Sequence, residues 1–247
     1  MIDPKLLRLL ETLRRTTRSV RGKTLWALGV LTLAIVCYAV GDRYAVPASS
    51  AGHGIGSGHS LLMEGDYVIS PYDELMRHIC EEEGHDWRLL SAIAYHESRF
   101  HSDRMSRRGA RGLMQIMPSV GRQFGVPVEL IADPEINIRL ANQLLSSIEK
   151  TLALPASTPA EDRISIVLAS YNGGLGHVRD ARRLARFYGE NPNSWAVVGR
   201  YLRLKALPQY YGLDVVYCGR FTGIRETEAY VNDVLDHYHD YCRRALR

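Results

Sequence analysis

Helix-start signals recur between residues 70 and 241, and this pattern constrains the fold more than any other feature of the sequence. Residues 70–73 (SPYD), Asp86 and residues 133–134 (DP) each place a capping side chain or an early proline before apolar residues spaced three and four apart. The alternation typical of a strand is found at residues 212–217. The chain is therefore predicted to be all-α, with at most a small hairpin. Further helices are predicted at 118–125, 159–170, 176–188, 193–205 and 226–241.

Ahead of this helical region lies an uncharged segment that suits a membrane. Residues 25–40 (LWALGVLTLAIVCYAV) carry no charge, and their flanks can extend the run toward the roughly 20 residues that cross a bilayer core. Seven Lys and Arg against two acids predict that residues 1–24 stay cytoplasmic. We therefore expect a transmembrane anchor at 25–41. A cleaved signal peptide is the alternative, because residues 46–48 (VPA) offer a small-residue cleavage pattern.

The rest of the chain divides into a linker and one domain. Residues 42–62 are rich in Gly, Ser and Ala and are predicted to be flexible. Residues 63–247, roughly 185 in number, are enough for one domain with a sizeable core. Because the N-terminal cluster holds the chain's excess of positive charge, this domain is close to neutral and a nucleic-acid footprint is not supported. Its densest basic run is predicted to be a solvated helix face and comprises Arg179, Arg182, Arg183 and Arg186.

Cysteine and histidine spacing predicts no metal site. His96 and Glu97 would begin the H-E-x-x-H motif of zinc proteases, but position 100 is Phe. No C-x-x-C pair occurs, although three cysteines of the domain could supply one disulfide in an oxidising compartment. We expect neither a metal nor another cofactor. The four cysteines are Cys37, Cys80, Cys218 and Cys242.

Glu97 is the strongest candidate for a catalytic group. It follows Leu90 and Ala94 on the apolar side of a predicted helix, where loss of water disfavours the charged carboxylate and raises its pKa. A carboxyl that holds its proton near neutral pH can act as a general acid. The alternative is a structural carboxylate in a salt bridge with Arg99 or Arg111.

Four short motifs around Glu97 carry a resemblance to a known family. They are residues 97–100 (ESRF), 112–118 (GLMQIMP), 169–174 (ASYNGG) and 226–231 (ETEAYV), in this order. Together they resemble the soluble-lytic-transglycosylase-like (SLT) domain of lysozyme-like fold, in particular the catalytic module of membrane-bound lytic transglycosylase F. The resemblance spans roughly residues 70 to 241. That family normally carries a substrate-binding-protein-like domain ahead of this module, and regulation through such a domain is not expected here.

The resemblance implies cleavage of the β-1,4 bond between N-acetylmuramic acid and N-acetylglucosamine in peptidoglycan glycan strands. Glu97 would protonate the glycosidic oxygen and then, as a carboxylate, accept the proton of the muramoyl 6-hydroxyl. That hydroxyl attacks the anomeric carbon, so a 1,6-anhydro sugar forms and no water is consumed. The expected location is the periplasm of a bacterial envelope, with the anchor in the inner membrane.

The resemblance also implies the surroundings of Glu97. Gln115 would lie near the carboxyl and the sugar, and Met114 would be a flexible apolar contact. Asn172 would contact the sugar, Tyr171 would line the cleft, and Tyr230 would orient Glu97. The other interpretations are a Gln115 amide bonded to its own loop, helix capping by Asn172 and a structural Tyr230. Ser98 is predicted to be a helix-end residue near the substrate.

Two other functions stay open from the sequence. A goose-type lysozyme hydrolyses the same bond and needs an acidic residue to activate water, for which Asp103 is the nearest candidate in sequence. A non-catalytic peptidoglycan-binding module would leave Glu97 without a chemical role.

Overall fold

The structure is a computed structural model that describes residues 68–244, apart from the side chains of residues 82 and 83. Within this range the secondary structure is α-helical with no strand, which confirms the prediction of an all-α domain. The helices are α1 Asp73–Glu83, α2 Trp87–Ser98, α3 Pro118–Gln123, α4 Pro134–Leu152, α5 Ala160–Gly173, α6 Leu175–Phe187, α7 Trp195–Leu204, α8 Pro208–Tyr211 and α9 Ile224–Arg244, with a 3₁₀ turn at Val128–Leu130.

Two of the predicted helix caps form as expected. The Asp86 carboxylate accepts the backbone N–H of Arg88 at 3.0 Å and begins α2. The Asp133 carboxylate accepts the N–H of Ile136 at 3.0 Å and begins α4. Each cap satisfies an N–H that has no partner inside its own helix.

The candidate strand at 212–217 does not form. This segment consists of turns, and its apolar side chains Leu213, Val215 and Val216 pack separately against the core. The N–H groups of Tyr217 and Cys218, at its end, bond to the Asp180 carboxylate at 2.9 and 2.8 Å. The backbone groups therefore find side-chain partners and need no second strand.

The core is built around α2, α5 and α9. The long α9 packs along both α2 and α5, while α6 packs against α5 and α7. The Leu90, Ile93 and Ala94 side chains of α2 are fully buried, as their spacing predicts. This packing places the end of α2 next to the start of α9, where the candidate site lies.

The membrane anchor and the linker predicted at 25–41 and 42–62 lie outside the described residues. Within 68–244, no helix combines the length and apolarity needed to cross a bilayer. The cysteines of this range, Cys80, Cys218 and Cys242, are free thiols.

Candidate active site

Glu97 occupies the last turn of α2, at an abrupt change of backbone direction. The helix ends at Ser98, and both following residues adopt left-handed conformations, with φ of 56° at Arg99 and 61° at Phe100. Such values are uncommon for residues other than glycine and are often found at functional sites. The turn leaves Glu97 at the end of the same helix face that carries the buried Leu90 and Ala94.

The environment of Glu97 matches that of a carboxyl that retains its proton. Burial raises its pKa from 4.5 to about 7, against the lowering effect of Tyr230 and the positive charge of Arg104, while the negative charge of Glu226 raises it further. The alternative salt bridge does not form. Arg99 lies over the Tyr95 ring at 4.1 Å, and Arg111 points to the Val128 carbonyl.

Two tyrosines approach Glu97 from different helices. Tyr230 of α9 is 1% exposed, and its hydroxyl has no partner of standard hydrogen-bond geometry within residues 68–244. The Tyr230 hydroxyl is nevertheless close enough to Glu97 for each group to change the pKa of the other. Tyr230 lowers the pKa of Glu97, and Glu97 raises that of Tyr230. Tyr171 of α5 donates its hydroxyl to the Met114 carbonyl at 2.9 Å. Burial and then the Glu97 charge raise the pKa of both phenols well above 10, so they stay protonated.

The loop that carries the second motif is held by one buried amide. Asn137 of α4 accepts the Met114 N–H at 2.7 Å and donates to the carbonyls of Arg111 and Ile131 at 2.9 and 2.6 Å. Gly112 has φ of 77°, and a Cβ there would lie 2.6 Å from the Asn137 side chain. The loop at 111–116 can therefore close onto α4 only with glycine at position 112.

Replacing Gly112 by Ala should destabilise the domain beyond the cost of a positive φ. Gly109 is the matched control, because it has φ of 85° but nothing within 4 Å of the position that a Cβ would take. We expect Gly109→Ala to cost about 1 kcal/mol and Gly112→Ala at least about 1–3 kcal/mol more, since Asn137 must shift. Urea unfolding of both variants measures the difference, and equal costs would contradict a close contact.

A cavity of about 270 Å³, here called the site cavity, opens between α5, α6 and α9. Asn172 lies on its wall and accepts the Thr227 hydroxyl at 2.9 Å. Glu226 also lines this cavity while acting electrostatically on Glu97, which links the cavity to the carboxyl. The full lining consists of Arg108, Asn172, Gly173, His177, Arg220, Phe221, Thr222, Gly223, Glu226 and Thr227.

The predicted site residues fall into two groups. Glu97, Tyr171 and Tyr230 are brought together, and Asn172 lines the adjacent site cavity. The structure does not bring the other three side chains to this cavity. Gln115 donates its amide to the carbonyls of Arg104 and Gly112, Met114 is fully buried, and the Ser98 hydroxyl donates to the Ala94 carbonyl at 3.1 Å.

Sequence reasoning gave no role to three residues that shape the site. Glu226 and Thr227 lie within the fourth motif, and their first helical turn faces Glu97 and Asn172. The sequence does contain a pattern that indicates Asn137. This residue stands in line with the buried residues Ala141, Leu145 and Ile148 of α4, and a polar side chain on such a face requires hydrogen-bond partners.

Known proteins resemble this domain. The family profile described as Transglycosylase SLT domain matches residues 74–193. The membrane-bound lytic murein transglycosylase F of Alcanivorax borkumensis is 35% identical over 180 residues, which cover 72% of this chain and 37% of the relative. That of Shewanella pealeana is 42% identical over 129 residues, or 52% and 26%. The chain thus spans roughly a third of the length of these relatives.

Solved structures show weaker likeness. Lytic transglycosylase Slt of Pseudomonas aeruginosa has a TM-score of 0.47 at 23% identity, covering 70% of this chain and 24% of that one. The 70 kDa soluble lytic transglycosylase of Escherichia coli has a TM-score of 0.45 at the same identity and coverage. Three of the four motifs lie within the residues that the profile matches, so residues 74–193 of this chain are similar to the Transglycosylase SLT domain family.

Proposed function

We propose that this protein is a peptidoglycan lytic transglycosylase with Glu97 as its single acid and base. The observation that carries the proposal is the Glu97 carboxyl, whose pKa burial raises to about 7. No basic side chain of the described residues pairs with it, and Glu226, which acts on it electrostatically, lines the site cavity. Its relatives are named lytic murein transglycosylases, which supports the same activity here.

The reaction needs one proton to be delivered and one to be removed. Protonated Glu97 gives its proton to the glycosidic oxygen as that bond to the anomeric carbon breaks, while the substrate's N-acetyl group stabilises the cationic centre. The Glu97 carboxylate then takes the proton of the muramoyl 6-hydroxyl, whose oxygen bonds to the anomeric carbon. Glu97 ends protonated, the product is a 1,6-anhydro sugar, and a pKa near the working pH serves both steps.

Tyr171, Tyr230 and Asn172 complete this proposal. Both phenols stay protonated, so Tyr230 can donate to Glu97 once it becomes a carboxylate, while Tyr171 holds the loop through Met114. Asn172 would contact a sugar that occupies the site cavity. The loop would be stabilised by Gln115 and Met114, and the end of α2 by Ser98, without direct contact with the substrate.

A hydrolase is the second candidate. It is favoured over a binding module by the presence of a second carboxylate, Glu226, that acts on Glu97. Ordinary glycoside hydrolysis uses two carboxylates. Asp103 is exposed, and the carboxylate that does act on Glu97 is Glu226. If Glu226 activated a water molecule, the enzyme would be a lysozyme of this bond.

Mass spectrometry of the soluble products tests the proposed function. The full chain, solubilised in detergent, is incubated with purified peptidoglycan. Products one water lighter than hydrolytic fragments are expected. Hydrated products would establish the lysozyme, and the absence of any product released by the protein would leave the binding module as the function.

Substitutions of Tyr230 and Glu226 should shift the pH dependence of kcat/KM in opposite directions, because these two neighbours change the pKa of Glu97 in opposite directions. Activity that needs a protonated Glu97 falls as pH rises through about 7. Tyr230→Phe removes a group that lowers the pKa and should move this fall to higher pH. Glu226→Gln removes a negative charge that raises the pKa and should move it to lower pH. Shifts in the same direction, or none, would contradict the described environment.

We further propose that residues 25–41 anchor the enzyme in the inner membrane, with residues 42–62 as a linker and residues 63–247 as a periplasmic catalytic domain. The relatives are named membrane-bound, which supports an attachment. The intact mass of the mature protein separates the two N-terminal interpretations. A full-length mass supports the anchor, and a mass that lacks the first 48 or so residues would show a cleaved signal peptide.

A further inference from the structure

A second cavity, about 250 Å³ in volume and here called the arginine cavity, lies between α6 and the C-terminal end of α4. With about 100° of rotation per residue, its arginines lie on the side of α6 opposite His177, which lines the site cavity. The two cavities are therefore distinct. The lining of the arginine cavity is Thr151, Leu152, Arg179, Arg182, Arg183 and Arg186.

The prediction that these arginines form a solvated helix face is wrong for two of them. Arg182 is only 5% exposed and donates to the carbonyls of Leu152 and Pro192 and to the Asn193 side chain. Arg183 is half-buried, ion-paired with Asp180. Sequence spacing could not show this, because α6 is covered by the end of α4 and by the segment after α8.

The charge in the arginine cavity is poorly neutralised. Arg182 is bonded only to neutral acceptors, and burial and then the charge of Arg186 lower its pKa to about 10, so it stays charged at neutral pH. The side chains of Arg179 and Arg186 are exposed, and neither side chain forms a hydrogen bond or ion pair with any other described residue. Within residues 68–244, the one carboxylate that pairs with any of these four arginines is Asp180, which contacts Arg183 and is shared with Lys205.

The end of α4 accounts for part of this arrangement. The Leu152 carbonyl accepts Arg182 at 2.6 Å, and the negative end of a helix dipole favours a nearby cation. This contact involves neither Arg179 nor Arg186. Like charges gathered around one cavity repel each other, and a bound anion would relieve that repulsion.

We propose that the arginine cavity binds a phosphate-type oxyanion through the side chains of Arg179 and Arg186. The side chains of Arg182 and Arg183, which are held by other partners, line the same cavity and add positive charge. Guanidinium groups donate paired N–H bonds to phosphate, and several around one cavity suit a tetrahedral group with more than one negative charge. A phosphate monoester carries close to two negative charges at pH 7. A single carboxylate could neutralise only one arginine.

Calorimetric titration of the full chain in detergent tests this site with inorganic pyrophosphate as the probe. Arg179→Gln/Arg186→Gln should weaken pyrophosphate binding by about tenfold or more, because it removes two charge-assisted contacts. The matched control is Arg107→Gln/Arg122→Gln, which removes two exposed charges elsewhere and should leave the affinity within about twofold. Both variants change exposed side chains and should fold normally.

Two further probes identify the source of the anion. Glycerophosphoglycerol represents a phosphodiester lipid headgroup, and glutarate represents a dicarboxylate of similar charge. Binding of glycerophosphoglycerol that depends on Arg179 and Arg186 would point to lipid headgroups, whereas binding of pyrophosphate alone would point to a soluble phosphate compound. The proposal is overturned if pyrophosphate does not bind, if both double variants weaken it equally, or if glutarate binds as tightly.

Discussion

Glu97→Gln should reduce the release of soluble fragments from peptidoglycan by about 10²- to 10⁴-fold, the usual contribution of a general acid and base. The glutamine amide has nearly the same size and shape but can neither give a proton to the glycosidic oxygen nor take one from the 6-hydroxyl. Glu129→Gln, which changes an exposed acid on the 3₁₀ turn, should retain full activity. The measurement is the initial rate of fragment release at matched protein concentration.

The loss of activity should come without a loss of stability. Folding raises the pKa of Glu97, so this carboxyl contributes stability that is fully present below its unfolded pKa and is lost as pH rises through about 7. A neutral glutamine avoids that loss, and Glu97→Gln should be at least as stable as the unchanged protein at pH 8. Retained activity would show that Glu97 is not the acid, and an unfolded variant would contradict the described burial.

Asp180→Ala should destabilise the domain by about 3–5 kcal/mol, the cost of breaking a buried ion pair from one side. Asp180 and Lys205 are both fully buried, and their charged atoms lie 2.6 Å apart. The same carboxylate accepts the N–H groups of Tyr217 and Cys218, so its removal leaves a buried ammonium without its counter-ion and two backbone donors without their acceptor.

The control for Asp180→Ala is an ion pair at the surface. Glu228 pairs with Arg203, whose side chain is 59% exposed, and Glu228→Ala should cost no more than about 1 kcal/mol. Urea unfolding followed by circular dichroism measures both variants. Similar costs for the two would contradict the buried character of the Asp180–Lys205 pair.

The helices were predictable because each is specified locally. Asp86 and Asp133 bind the first N–H groups of the helices that they begin, and the apolar spacing of α2 places Leu90 and Ala94 in the core. The failure at 212–217 has the opposite cause. Alternating apolar residues there favour a strand, but the partner of the backbone is Asp180, which is far away in sequence.

The candidate site was predictable only in part, for the same reason. Glu97 could be found because the spacing of Leu90, Ala94 and Glu97 places it on the apolar face of its own helix. The effects of Glu226 and Arg104 on its pKa depend on how α9 and the loop pack beside α2, which no local pattern encodes. Asn137 stabilises a loop more than twenty residues away in sequence, at Met114. Burial of Arg182 likewise depends on the position of α4.

In the proposed mechanism one carboxyl cleaves the glycan, and the substrate's own hydroxyl takes the place of water. Digestion of peptidoglycan by the full chain in H₂¹⁸O, followed by mass spectrometry of the new sugar ends, distinguishes this mechanism from hydrolysis. We expect products without ¹⁸O, because the attacking oxygen comes from the muramoyl 6-hydroxyl. One ¹⁸O atom at each new end would contradict the mechanism and would show that water, activated by a second carboxylate such as Glu226, completes the reaction.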